Sequence, residues 1–156
     1  MPTAYVAIHS SQFPENVRRD LLESLRSRRV NHKFHYDSHK QTRKWLALHQ
    51  AVSPSRLDED CARIYDAGFA AAALEMRERD VHVIGLGCGG GQKDARLLRL
   101  LIAQGREVSY TPSDVSVAMT LVARTAALAV IPDRAIHPLV CDLASADDLR
   151  ATLDAQ

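Results

Sequence analysis

The residues Gly85-Leu86-Gly87-Cys88-Gly89-Gly90-Gly91 follow the run Val81-His82-Val83-Ile84 and lead into a helical pattern. A strand that ends in glycines and starts a helix lets a ligand approach bare backbone, where unpaired N–H groups point outward. Open α/β sheets hold nucleotides and nucleosides in this way. Lys93 falls in the first turn after the glycines and can pair with a carboxylate. Asp114 lies just past the next strand, where its carboxylate can accept both hydroxyls of a ribose. Asp142 holds the equivalent place after a third strand. Both acids also stand where they could cap the helix that follows. Cys88 reads as a small residue that fits the glycine loop rather than a nucleophile, because no base lies beside it in sequence.

These residues need a sheet to position them. Val81–Leu86 is expected as a buried strand, Lys93–Gln104 as a helix and Arg106–Thr111 as a second strand. Val115–Val130 follows as an apolar helix, Ile136–Cys141 as a third strand and Ala146–Leu153 as a last helix. This alternation predicts an α/β fold: a Rossmann-like parallel sheet with right-handed crossovers and helices on both faces. Its strand order is 3-2-1, with the glycine-bearing strand at one border. Upstream, residues 14–29, 40–51 and 58–79 carry helical spacing, so 1–80 is expected to be a helical N-terminal segment. Residues 81–156 then make the first half of a ligand-binding domain. A border strand of this kind leaves one row of N–H and C=O groups unpaired and invites self-association or a partner chain.

Two glycine frames fit. Gly85-x-Gly87-x-x-Gly90 matches the dinucleotide fingerprint, and Gly87-x-Gly89-x-Gly91 matches the loop of S-adenosylmethionine-dependent methyltransferases. From about Asn31 onward the chain resembles the histidine Nα-methyltransferases of ergothioneine biosynthesis. The resemblance is carried by Phe34-His35-Tyr36-Asp37, by Ser53-Pro54-Ser55-Arg56 and by Leu86-Gly87 with Lys93 beyond. Tyr110-Thr111-Pro112-Ser113-Asp114-Val115-Ser116 and Val140-Cys141-Asp142-Leu143 complete it. It implies S-adenosylmethionine as cofactor, with Gly87, Gly89 and Gly91 forming the loop and Lys93 on the methionyl carboxylate. It places Asp114 on the ribose, Asp142 on the adenine amine, and Tyr36 and Leu143 against the pocket. The chain departs from that pattern at three places. Gly85 stands where many methyltransferases carry an acid, Leu143 where the family has an aromatic, and Ser53 where it uses a tyrosine to hold histidine. The family's second half, which supplies most of the acceptor pocket, has no counterpart in this sequence.

Composition narrows the rest. Lys+Arg 20 against Asp+Glu 19 gives a formal charge of +1 without a basic run, which argues against nucleic acid. No stretch is long and apolar enough to span a membrane, and a cytoplasmic location is expected. Cys61, Cys88 and Cys141 fit reduced thiols. His32, His35, His39 and His49 match no closed metal motif, so no metal is expected. Three functions remain open: an N-methyltransferase acting on a small amino-acid-like amine, a nicotinamide-dependent oxidoreductase fragment, and a non-catalytic binding or scaffold protein. No catalytic base is identifiable.

Overall fold

β-branched and apolar residues at alternate positions of 80–86 pair with the matching run at 107–114, and this pairing is the centre of the molecule. In the computed structural model, residues 3–36 and 38–154 are described, apart from the side chain of Arg56. The strands are β1 (Ala7–Ile8), β2 (Asp80–Leu86), β3 (Glu107–Asp114) and β4 (Leu139–Val140). They form one parallel sheet in the order β1-β4-β3-β2. The helices are α1 (Pro14–Ser27), α2 (His39–Val52), α3 (Pro54–Leu57), α4 (Glu59–Glu75), α5 (Gln92–Ala103), α6 (Val117–Leu128) and α7 (Leu149–Asp154). This is the expected Rossmann-like α/β arrangement, with the glycine-bearing strand β2 at a border.

Four features differ from the sequence reading. The N-terminal segment is not purely helical, because Ala7–Ile8 adds a parallel strand outside β4. Two residues are too few for alternation to betray a strand. β3 runs on to Asp114, past Pro112, while β4 is shorter than expected. The β3–β4 ladder is interrupted between the Tyr110–Ile136 bridge and the Ser113–Leu139 pair, so Pro112 sits where no β4 partner needs its missing N–H. Lastly, β2 is not buried on both faces. Val83 packs with Tyr110, Leu98, Ala127, Ile131 and Ile136 under α5 and α6, whereas Ile84 and Leu86 on the other face are 39% and 61% exposed. Both crossovers advance in one direction along the sheet. A constant hand therefore delivers both helices to the same face, and the second face fills only where the winding reverses.

Polar contacts attach the outer elements. The Arg106 guanidinium donates to the carbonyls of Ala73 and Met76 at 2.8 and 2.7 Å and to that of Glu78, satisfying the end of α4. On the far side, α1 turns Asp20 and Ser24 inward and leaves Leu21, Leu22 and Leu25 exposed. The reason is Lys33, only 3% exposed, whose ammonium lies 2.5 Å from Asp20 Oδ2 and 3.2 Å from Asp142 Oδ2. A buried cation needs both carboxylates more than the core needs the leucines.

The Lys33 hydrogen bond holds the Asp20 carboxyl below its ordinary 3.8. Its stabilising share is therefore present above pH 3.8 and is lost as pH falls through the lower folded value. Lys33→Met strands two inward-facing carboxylates and should cost about 3 kcal/mol. Urea unfolding at neutral pH checks this, and the deficit should shrink on acidification below pH 3.8.

Candidate functional site

The site is built where β2 and β3 end side by side. Beyond β2 the chain turns on Gly87, Gly89 and Gly91, with φ of +67°, +51° and +71°, the left-handed region that side chains rarely adopt. Two bonds to β3 fix the turn: Cys88 N donates to Ser113 O at 2.9 Å, and Gly89 N donates to Asp114 Oδ2 at 3.1 Å. Asp114 Oδ1 accepts from Ser116 N at 3.0 Å. The carboxylate thus ties the glycine turn to the start of α6. Burial pushes Asp114 up, and its backbone hydrogen bonds work the other way.

A cleft of about 270 Å³ opens against this turn. Tyr36, Gly87, Gly89, Asp114 and Leu143, all singled out in the sequence, line it together with His32, Trp45, Val115, Met119 and Cys141. A second lobe of about 350 Å³ lies on the other side of the turn and shares Trp45, Gly87 and Gly89 with the first. Lys93 lines that lobe, and its ammonium donates to the Tyr65 hydroxyl at 2.8 Å and sits 4.4 Å above the Tyr65 ring. A Cβ on Gly87 would meet nothing within 4 Å, so the open backbone faces free space.

Two expected residues stand apart from the cleft. Gly91 is packed under α6, where a Cβ would come within 2.7 Å of the Ala123 backbone, so close packing explains its type. Asp142 is 2% exposed. Its Oδ2 meets Lys33, its Oδ1 accepts from Ala144 N at 3.1 Å, and the His32 Nε2 lies 3.4 Å from Oδ1. Its neighbours Cys141 and Leu143 line the cleft, and Asp142 does not. His32, standing between this carboxylate and the cleft, presents the polar group there. Asp37 of the Phe34–Asp37 landmark lies outside the described residues.

The sequence reading missed an aromatic wall. Trp45 meets Tyr36 edge-on at 6.5 Å and stacks on His49 at 4.8 Å, and a Cβ on Gly89 would come within 3.1 Å of the indole. Trp45 falls within the helical spacing of residues 40–51, and no local pattern shows its contact with Gly89, which spans 44 residues of sequence. Burial, with Asp114 and Asp94 adding to it, pushes the Cys88 thiol far above the ordinary range, which works against a nucleophilic thiolate.

No protein-family model and no curated protein matches this chain. Among solved structures, it is similar to a Listeria monocytogenes protein provisionally described as a class I S-adenosylmethionine-dependent methyltransferase, with a TM-score of 0.39 and 16% identity. The match covers 82% of this chain and 40% of that one. The α/β sheet rests on its own strand pairing. Among the described residues, no helix is long and apolar enough to cross a membrane.

Proposed function

We propose that this chain binds S-adenosylmethionine and forms the cofactor-holding part of an N-methyltransferase of the histidine-Nα type, acting on a small amine. The observation that carries the reading is the two-lobed groove around Gly87 and Gly89, with Asp114 lining one lobe and Lys93 lining the other. An adenosyl group joined to an amino-acid tail needs that pair of charges at opposite ends. Asp114 would accept the ribose hydroxyls, Val115, Met119 and Leu143 would flank the adenine, and Lys93 would meet the tail carboxylate. When bound, the cofactor supplies a sulfonium-activated methyl group for in-line displacement. The chain's share would be alignment and the exclusion of water, to which Tyr36 and Trp45, both lining the cleft, would contribute. The histidine-Nα assignment is supported by the order of Gly87, Lys93 and Asp114 and by the Phe34–Tyr36 segment.

The nicotinamide reading is disfavoured by one charge. In its frame the pyrophosphate would approach the Gly87 backbone at the start of α5, and the Asp94 carboxylate lines the same lobe as Gly87. An acid in that place repels a pyrophosphate. The free border of β2 and its exposed Ile84 and Leu86 support association with a second copy or a partner chain.

Isothermal calorimetry tests the first reading. S-Adenosylhomocysteine should bind, NADH should not, and Asp114→Ala should weaken binding about tenfold, the size of a lost charged hydrogen bond. NADH binding without S-adenosylhomocysteine binding would contradict it. Light scattering tests the edge: the isolated chain should grow in mass with concentration, and a monomer up to high concentration would contradict association.

A further inference from the structure

The carboxylate beside Gly85 has a use beyond excluding a pyrophosphate. β2 has no acid just before its glycines, but α5 folds one back into the same place. Asp94, in the first turn of α5, lies over Gly85 so closely that any side chain at 85 would collide with its Oδ2. The Tyr110 hydroxyl, rising from β3, donates to that same oxygen and fixes the rotamer. Gly85 and Asp94 are therefore a matched pair: the missing side chain on the strand makes room for the carboxylate from the helix.

Asp94 also lines the second lobe of the groove, alongside Lys93. Among the described residues its only hydrogen-bonding partner is Tyr110, which leaves Oδ1 without a donor. Burial raises the cost of its charge, while the Tyr110 bond and the Lys93 charge offset part of it. A mostly buried carboxylate with one unpartnered oxygen is stabilised by any cation that enters the lobe. The lobe thus offers one fixed anion and one cation from adjacent residues, and the ligand chemistry that answers both is a zwitterionic α-amino acid group.

We propose that Asp94, oriented by Tyr110 and accommodated by Gly85, receives the ammonium group of the ligand's amino-acid tail, replacing an acid on β2. The assignment rests on the S-adenosylmethionine reading and makes Asp94 the residue that distinguishes a zwitterionic tail from a plain thioether. Tyr110 is a positioning residue in this scheme.

The test compares two ligands by calorimetry: S-adenosylhomocysteine, with the amino-acid tail, and 5′-methylthioadenosine, which has the same adenosyl thioether without it. Asp94→Asn keeps the shape and an acceptor for Tyr110 but loses the charge. It should weaken S-adenosylhomocysteine binding about tenfold, the range of a charged hydrogen bond, and leave 5′-methylthioadenosine binding unchanged. Gly85→Ala, which keeps the carboxylate but displaces it, should reproduce the same selective loss. Moving the acid to the strand in the double variant Gly85→Asp, Asp94→Ala should restore preference for the tailed ligand. An Asp94→Asn protein that binds both ligands like wild type, or loses both alike, overturns the assignment. A wild-type protein that binds 5′-methylthioadenosine but gains nothing from the tail overturns it while leaving the adenosyl site standing. A wild-type protein that binds neither removes the methyl-donor reading itself.

Discussion

Everything at the ligand end of this molecule depends on the parallel alignment of two strand ends. β2 and β3 end side by side, with Leu86 beside Ser113, so Gly87 and Asp114 fall at the same edge. From there the Asp114 carboxylate reaches across to Gly89 N and back to Ser116 N. One side chain thereby closes the glycine turn and sets the entry of α6. The three left-handed glycines make the turn sterically possible, and the carboxylate makes it a single conformation. The burial cost of this bracing carboxylate is offset in part by backbone donors already in place.

The other acid follows a different logic. Asp142 follows β4 much as Asp114 closes β3, yet its charge is consumed by Lys33 and by the backbone of Ala144. The contact draws the N-terminal segment onto the sheet. Lys33 also reaches Asp20 on α1, and Ser11 accepts from the Asp142 backbone through its hydroxyl at 3.0 Å. The segment before β2 is therefore held largely by polar contacts, while its leucines stay outside. Its reward is local: it brings His32, Tyr36 and Trp45 over the cleft.

The legible part of the sequence was the part governed by local rules. Glycines after a β-branched run located the turn, and helical spacing located α1, α2, α4, α5 and α6 to within a few residues. Local pattern misled where long-range pairing decided: the expected second strand stops at Thr111, whereas β3 continues past Pro112, whose missing N–H has no β4 partner to lose. Asp94 was invisible because its meaning lies in a contact with Gly85, one strand-turn away, and with Tyr110 on another strand. A glycine where an acid was expected read as a loss. In three dimensions it is the space that a carboxylate from the next helix fills. The equal treatment of Asp114 and Asp142 failed for a related reason, since nothing local announces that Lys33 is buried beside only one of them.

A two-dimensional amide NMR titration with S-adenosylhomocysteine tests the central claim most directly, because it reads each backbone N–H separately. The account predicts shifts concentrated at Gly87–Gly89, at Lys93–Asp94 and at Asp114–Val115 and Leu143, with the exposed β2 edge unmoved. Shifts absent from the glycine turn, or appearing there with NADH and not with S-adenosylhomocysteine, would contradict it.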